Sequence, residues 1–564
     1  MYPPQTIARY FLCGAFLFVV APVYAQTVPD AALLRQEVEQ SLPSKLPFLP
    51  DKPDFRPSVM KPLGGTLVIK EFRFSGNTLL SSEVLKAVVV GWLNRSIDFN
   101  QLQEAVVAVA QYYRDAGWIV RAYLPQQEIV DGIVTIQIVE AVFGGIYFEG
   151  GDASRIGLDR LRKGLEATQT EGAPIKAKAL DRALLLLGEL PGVSVAGSLR
   201  EGKRRGESDV VLKVADRPLF GGDASEDNTG SRSTGTNRFS LNWSTNAPLG
   251  FADQANVNLM HTQGSDYVRL GYSVPLGYDG WRMGLNTSLM RYRLISSELA
   301  ALGGFGDSST WGMDAAYPIY RSRFANLFFN STFDYKDFNN VSSGATTTRY
   351  KMNVASIGLS GNLTDQLGGG GSNSASLTLT EGGVNLDGSP NQASDATTTQ
   401  TQGAFAKLRY AASRWQTVTD SLGVNIGVTG QIANKNLDSG EKFYLGGSGG
   451  VRAYPGSEGG GSEGMMANVE LRWRLQQGFN FIGFYDWGEI TANRNNDFTG
   501  SAALNRYSLQ GGGFSLGWQG RDGLSSKVVW AHRVGHNPNP TATGNDQDGS
   551  LILDRFWLSM SIAF

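Results

Sequence analysis

The sequence predicts two compact α/β units followed by a sixteen-stranded antiparallel transmembrane β-barrel. Helical periodicity ends near Leu219, and the segments that follow alternate apolar with polar side chains. These segments are roughly 9 to 12 residues long, which is enough to cross a membrane when a strand is tilted. The chain also contains 70 glycines and 10% aromatic residues, which favours turns, small lumen-facing side chains and aromatic residues at membrane interfaces.

The first 25 residues have the features of a signal peptide. Arg9 precedes an apolar run that ends at Ala21, and small residues favour cleavage after Ala25. The one cysteine, Cys13, lies in this leader, so the mature chain is predicted to have no disulfide. A lipoprotein site at Cys13 is the alternative, but the apolar run before it is short and continues past it. The net charge of -2 does not suggest a nucleic-acid partner.

Residues 26–43 are predicted to contain a short helix, and residues 44–65 an extended linker. The apolar stripe of the helix is weak, and an unstructured tail is the alternative; the stripe comprises Leu33, Leu34, Val38 and Leu42. Prolines recur through the linker, at positions 47, 50, 53, 57 and 62. At ~3 Å per residue the linker would span roughly 60 Å, more than the thickness of a bilayer.

Residues 66–142 and 143–217 form an internal repeat with the order strand, helix, helix, strand, strand. In the first unit the pattern predicts strands at 68–74, 118–125 and 133–139 and helices at 81–90 and 100–116. In the second unit it predicts strands at 146–148, 193–199 and 208–214 and helices at 157–165 and 177–187. No later segment is an apolar run long enough for a transmembrane helix.

Residues 218–564 are predicted to form the barrel. In the segment from Val469 to Leu475, one face is wholly apolar and the other is wholly charged. In a soluble sandwich the apolar face would be the core, but arginines on the opposite face and the strand lengths favour lipid outside and water inside. About sixteen segments of this kind can be placed, an even number as in bacterial barrels. A barrel of that size has a water-filled lumen unless something plugs it.

A glycine loop at residues 446–464 interrupts the strands and contains Val451, Arg452 and Tyr454. A loop that only faces solvent has no need of these side chains, so we expect it to fold into the barrel. In the segment 481–488 the aromatic residues Phe481, Tyr485 and Trp487 share the lipid face, which directs Asp486 into the lumen. Spacing alone leaves two interpretations open: Arg452 pairs with Asp486, or both are solvated.

With these motifs in view, the chain resembles the TpsB family of two-partner secretion transporters, which export haemolysins and filamentous haemagglutinins. The family's loop motif, Val-Arg-Gly followed by Phe or Tyr, corresponds to Val451, Arg452, Ala453 and Tyr454. Its strand motif, Phe-x-Asp-x-Gly, corresponds to Phe484, Asp486 and Gly488. The resemblance implies an Arg452–Asp486 pair. Ala453 departs from the motif, and a positive φ there would cost about 1 kcal/mol or force a different turn.

The resemblance also implies the roles of the domains. The α/β units would be periplasmic polypeptide-transport-associated (POTRA) domains that hold an unfolded adhesin or haemolysin by strand addition. The helix at 26–43 would plug the barrel, and Phe564 would be read by the barrel-assembly machinery. Further implied partners are outer-membrane lipid and periplasmic chaperones, and neither nucleotide nor cofactor is expected. The alternatives are a barrel-insertion factor of the same superfamily and a gated porin.

Three weaker sequence patterns do not predict a catalytic or metal-binding site. Residues 446–450 match Gly-x-Ser-x-Gly, but a nucleophile elbow needs a strand before it and a helix after it. His532 and His536 would lie about 13 Å apart on a strand, so a metal site is not predicted. Residues 545–549 resemble a calcium loop without its downstream glutamate and are predicted to be a solvated surface loop. The chain is therefore not predicted to be an enzyme.

Overall fold

A computed structural model describes residues 28–42, 66–149, 155–204, 206–501 and 503–564. The predicted signal peptide (1–25) and linker (44–65) lie outside the described residues. In the N-terminal segment, helix α1 spans Ala31–Ser41. Asp30 caps α1 by accepting a hydrogen bond from the Leu33 N–H at 2.9 Å.

The first α/β unit packs two helices on a three-stranded sheet. In order, its elements are β1 (Thr66–Val68), β2 (Glu71–Ser75), α2 (Ser82–Val89), β3 (Ser96–Asp98), α3 (Phe99–Asp115), β4 (Val120–Tyr123) and β5 (Ile133–Glu140). The main sheet has the order β2-β5-β4, with β2 parallel to β5. The single strand predicted at 68–74 is wrong, because it divides at Ile69 and Lys70. There Ile69 enters the core, and the Lys70 N–H bonds to the Gly132 carbonyl.

The second unit repeats this architecture. Its elements are β6 (Val142–Glu149), α4 (Leu158–Glu166), α5 (Ala177–Gly188), β7 (Val193–Glu201) and β8 (Glu207–Asp216). Its sheet has the order β6-β8-β7, again with the first strand parallel to the last. Among the described residues, no helix is long and apolar enough to cross a bilayer.

The remaining chain closes into an antiparallel barrel of sixteen strands, which confirms the predicted fold class. Its strands are β9 (Phe220–Asp227), β10 (Arg238–Asn246), β11 (Gln254–Thr262), β12 (Ser265–Leu276), β13 (Trp281–Arg293), β14 (Phe305–Arg321), β15 (Ala325–Ser342), β16 (Ala345–Asp365), β17 (Gly371–Asn385), β18 (Gly403–Thr417), β19 (Leu422–Ala433), β22 (Glu463–Arg474), β23 (Phe479–Thr491), β24 (Arg506–Gln519), β25 (Leu524–Arg533) and β26 (Asp554–Ala563). Strand β26 pairs with β9 and closes the cylinder, and Phe564 continues that pairing through reciprocal backbone bonds with Gly222.

The glycine loop lies in the connection between β19 and β22. This connection contains two short paired strands, β20 (Phe443–Tyr444) just before the loop and β21 (Gly460–Gly461) within it. The high glycine content of the loop predicts neither a strand nor a helix, and that prediction is wrong at Gly460 and Gly461. Two short helices lie in other connections at the same end of the barrel, α6 (Ser297–Ala300) and α7 (Gln392–Thr397). The connections at the opposite end are short turns of three to seven residues.

Side-chain alternation determines the two surfaces of the barrel. Outward positions carry exposed apolar side chains on every sector of the wall, for example Leu285, Trp311, Ile357, Ile426 and Phe556. Burying this surface in lipid is favourable, whereas exposing it to water is not. The inward positions are predominantly polar, as a water-filled lumen requires.

The second α/β unit contacts the barrel at its short-turn end. Arg182 on α5 donates to the Pro318 carbonyl at 2.8 Å and pairs with Asp279 at 3.1 Å. Arg323, in the turn after β14, pairs with Asp181 at 3.0 Å. These bonds place the second α/β unit at this end of the barrel.

Candidate functional site

The glycine loop folds back into the barrel as a compact double turn. The Val451 N–H donates to the Leu445 carbonyl at 2.7 Å, and the Gly447 N–H donates to the Tyr454 carbonyl at 3.0 Å. A side chain at Gly446 would come within 2.0 Å of the Pro455 carbonyl oxygen, and one at Gly450 within 2.1 Å of the Leu445 oxygen. Glycine is therefore needed at both positions because two backbone segments touch there. The turn presents Arg452 at its tip.

Arg452 joins the loop to the barrel wall through two carboxylates. Its Nε and Nη2 donate to Asp486 on β23 at 2.8 and 2.7 Å, in the bidentate geometry that gives the strongest arginine pairs. Its Nη1 donates to Glu470 on β22 at 2.9 Å. Arg472 pairs with the other oxygen of Glu470 at 2.6 Å. Two cations thus balance two anions.

Other groups hold the same turn. The Arg452 N–H donates to Asp486 at 3.1 Å, and the guanidinium carbon lies 3.5 Å from the centre of the Phe484 ring. The Trp557 indole donates to the Arg452 carbonyl at 2.8 Å. Arg452 is only 5% exposed and Asp486 only 1%. Removing one member of such a buried cluster would leave the opposite charge buried and unpaired.

Ala453 is fully buried, and its φ is not positive. Of the two alternatives for this residue, the structure therefore has the turn without backbone strain. The Ala453 methyl group occupies space that the facing strand leaves open at Gly511. A Cβ at Gly511 would lie 2.5 Å from the Ala453 Cβ and 3.0 Å from the His532 carbonyl oxygen. Gly511 is paired with Asp486 in the sheet, so alanine in the loop and glycine in the wall fit each other beside the ion pair.

The connection between β25 and β26, residues 534–553, covers the outer side of the glycine loop and is called the cap loop below. Glu458 of the glycine loop is fully buried. It accepts hydrogen bonds from the Asn537 side chain at 2.9 Å and the Gln547 N–H at 2.8 Å. Asp546, also fully buried, pairs with Arg533. The prediction of a solvated loop at 545–549 is therefore wrong, because its carboxylates pair inside the protein.

Helix α1 lies inside the barrel and packs against β13, β14 and β15. Its apolar face meets a lumenal cluster, which comprises Met260, Met290, Phe338, Tyr350, Met352 and Val384. The Ala31 N–H donates to Asn340 at 3.0 Å, and Asp30 accepts from Ser439 at 2.7 Å. Ser439 lies just before the glycine loop, so α1 contacts the segment that leads into it.

The structure brings Arg452, Asp486 and Phe484 together, with Val451 and Tyr454 buried beside them. Gly488 lies against Leu445, since an added Cβ would meet that side chain at 2.6 Å. Phe564 is away from this cluster, at the seam of the barrel. Sequence reasoning missed Trp557, Gly511 and the cap loop, and it gave Glu470 an inward position without making it a partner of Arg452. Within the described ranges, no group of His, Cys, Asp and Glu side chains is arranged to hold a metal ion.

The sequence profile of the haemolysin secretion/activation protein ShlB/FhaC/HecB family matches residues 206–518. The chain belongs to this family. A ShlB-type POTRA profile matches residues 67–141, which is the first α/β unit.

Relatives of this transporter match along most of their length. It is 24% identical to the heme/hemopexin transporter protein HuxB of Haemophilus influenzae, over 86% of this chain and 85% of that protein. It is also 24% identical to the outer membrane transporter CdiB of Dickeya dadantii, over 78% and 79% of the two chains. The solved structure of CdiB from Escherichia coli has the same fold, with a TM-score of 0.66, 20% identity and coverage of 94% and 95%.

The fit between Ala453 and Gly511 predicts a pair of compensating substitutions in the transporter. Gly511→Ala should lower export of the partner protein about tenfold, because overpacking of roughly 1 to 3 kcal/mol would displace the loop. Ala453→Gly alone should change export little. The double variant should recover most of the activity, limited by the remaining contact with His532. Secreted partner per folded barrel in the membrane is the measurement, and a double variant no better than Gly511→Ala would contradict the proposed fit.

Proposed function

We propose that this transporter passes one large secreted partner protein, of the adhesin or haemolysin type, in unfolded form through its barrel. The barrel lies in the outer membrane, with the α/β units in the periplasm and the long connections at the cell surface. No catalytic residue and no nucleotide is assigned to this activity. The observation that carries the proposal is a helix held inside a closed sixteen-stranded barrel, beside a loop anchored by a buried ion pair.

In this proposal α1 blocks the lumen at rest and leaves during export. Polar contacts hold α1 in place at both of its ends. Asp30 and Ala31 bond to Ser439 and Asn340. Gln36 donates to the Lys442 carbonyl, and Glu39 contacts Tyr267 and Arg269. Linker 44–65 is long enough to let the helix move without carrying the α/β units with it. The Arg452 cluster stays in place and keeps the loop positioned while the plug moves.

The first α/β unit recognises the partner by strand addition to β2. Of its two edge strands, β4 is partly covered, since Ile119 beside it bonds to Ile175 of the following segment. Strand β2 pairs with β5 on one side, and no strand pairs with its other side among the described residues. An extended peptide can bond to such an edge through its backbone. Barrel-assembly machinery, which reads Phe564, and periplasmic chaperones act earlier, during insertion.

The test is deletion of the gene, followed by comparison of surface, supernatant and outer-membrane proteins with those of a complemented strain. Loss of one large exoprotein, restored by complementation, is the expected result. General loss of outer-membrane barrels would indicate an insertion factor instead. Altered uptake of small solutes with an unchanged set of secreted proteins would indicate a porin. Either of these last two outcomes would overturn the proposed function.

A further inference from the structure

The inner surface of the barrel is chemically uneven. On β17 every inward position from 372 to 380 carries a hydroxyl, and these residues are Ser372, Ser374, Ser376, Thr378 and Thr380. Their outward neighbours, such as Leu377 and Leu379, are exposed to the lipid side. The segment is nine residues long. At ~3.4 Å per residue it spans about 30 Å, comparable with the hydrocarbon thickness of a bilayer.

The neighbouring strands continue this pattern at the same depth. Opposite β17, the inward residues of β16 are Ser356, Gly358, Ser360, Asn362 and Thr364. On the other side, the inward residues of β18 and β19 are Ala411, Ser413, Trp415, Gly423, Asn425, Gly427 and Thr429. We call this surface, the inner faces of 356–364, 372–380, 411–415 and 423–429, the neutral wall. No inward side chain in these four ranges is charged.

Elsewhere the inner face of the barrel carries charges. Inward charged residues on other strands include Arg269, Arg282, Asp314, Asp334, Glu470 and Lys527. The neutral wall ends at Arg409 and Lys407 toward the long connections, where Lys407 pairs with Glu441 at 2.6 Å. It ends at Arg472 on the side of β22. Four adjacent strand segments without a lumenal charge, at the depth of 372–380, are therefore a local feature of this barrel.

Around the barrel, the neutral wall lies between the strands that contact α1 and the strands that bind Arg452 of the glycine loop. Helix α1 packs against β13, β14 and β15, and Arg452 is bound on β22 and β23. An open concavity of about 190 Å³ lies against the neutral wall and is lined in part by Ser376, Ala411 and Gly427. This side of the lumen is thus accessible at the level of these residues.

The chemistry of the surface matches an extended polypeptide. Hydroxyl and carboxamide groups both donate and accept hydrogen bonds, so they can pair with the N–H and C=O groups of an unfolded chain in any register. Charged side chains would instead attract and hold segments of the opposite sign, since attraction strengthens in a narrow, poorly solvated channel. Glycine, alanine and serine also leave width for bulky side chains, and Trp415 is the one aromatic side chain among these inward positions.

We propose that the neutral wall is the surface along which the exported partner passes, as an extended chain whose side chains carry either sign of charge. This inference rests on the proposed export function and names the path within it. Because the neutral wall recognises backbone groups rather than a sequence, specificity for the partner resides elsewhere, in the α/β units.

The first experiment places a photoreactive amino acid at single inward positions in the full-length transporter. Ser376 and Ala411 lie on the neutral wall, whereas Ser559 and Asn258 are inward residues outside it. The partner carries a stably folded domain at its C terminus, so that it stalls during export. We expect crosslinks to the partner at Ser376 and Ala411 and weak or no crosslinks at Ser559 and Asn258. Equal or stronger crosslinks outside the neutral wall would overturn the proposal.

The second experiment adds a charge to the path. Ser376→Arg should lower export about tenfold, because the guanidinium would hold passing carboxylates. Ser376→Asn and the matched Ser559→Arg should export like the wild type, with all variants compared at equal amounts of folded barrel. Normal export by Ser376→Arg would overturn the neutral wall as the path while leaving export itself intact. Absence of export by the wild type would instead refute the proposed function.

Discussion

Arg452→Ala should lower export of the partner about tenfold or more while the barrel still inserts into the membrane. The substitution removes three side-chain hydrogen bonds to Asp486 and Glu470. Breaking a buried pair by removing one partner costs about 3 to 5 kcal/mol, enough to release the loop from the wall. The barrel itself depends on its closed hydrogen-bond ladder, which Arg452 does not join. Secreted partner per heat-modifiable barrel is the measurement.

Arg472→Ala is the matched control. Arg472 binds the same carboxylate of Glu470 at 2.6 Å, but its side chain is 45% exposed. A partly exposed pair contributes roughly 1 kcal/mol or less, so export should change by about twofold at most. Arg452→Lys should be intermediate, since one ammonium cannot reproduce the bidentate bond to Asp486. If Arg452→Ala exports normally, or Arg472→Ala is equally defective, the ion pair does not position the loop.

Strand parity was sufficient to predict which side chains enter the lumen. A strand alternates strictly, so one well-patterned segment such as 469–475 establishes the facing of every residue in it. The same rule directs Asp486 inward and Tyr485 outward, as the structure has them. Barrel closure follows because an open sheet in lipid would leave the backbone N–H and C=O groups of its two edge strands unpaired. An even number of membrane-length strands can pair these edges with each other.

Contacts between distant segments could not be predicted in this way. Gly511 accommodates the Ala453 methyl from 58 residues away (511 minus 453), and nothing near either residue signals that fit. The cap loop has the polar composition of a solvated loop, yet Asp546 is buried because Arg533 neutralises it. Helix α1 has a weak apolar stripe for a related reason. Its surroundings mix apolar side chains such as Met352 with polar groups, so no clean amphipathic pattern is required.

Locking α1 in the lumen with an Ala32→Cys, Gly440→Cys pair should block export under oxidising conditions, and a reductant should restore it. A Cβ added at Gly440 would lie 2.9 Å from the Ala32 Cβ. Disulfides have Cβ–Cβ distances of about 3.5 to 4.5 Å, so the helix needs to shift by roughly 1 Å. The one cysteine of the chain, Cys13, lies in the predicted leader, so the engineered pair has no competitor in the mature protein. Export of the partner is measured before and after reduction.

Each single cysteine variant, which cannot form the bond, should export normally with and without oxidant. Ser525→Cys with Ser561→Cys is a matched pair across β25 and β26, where the two hydroxyls lie 2.7 Å apart and contact neither α1 nor the glycine loop. Oxidation of this pair should leave export unchanged, because it joins two strands that are already paired. Undiminished export by the oxidised Ala32–Gly440 variant would mean that the partner passes a helix that stays in place. In that case α1 would line the path rather than block it, and the proposal that α1 is a plug would be wrong. The proposed role of the Arg452 cluster would be unaffected.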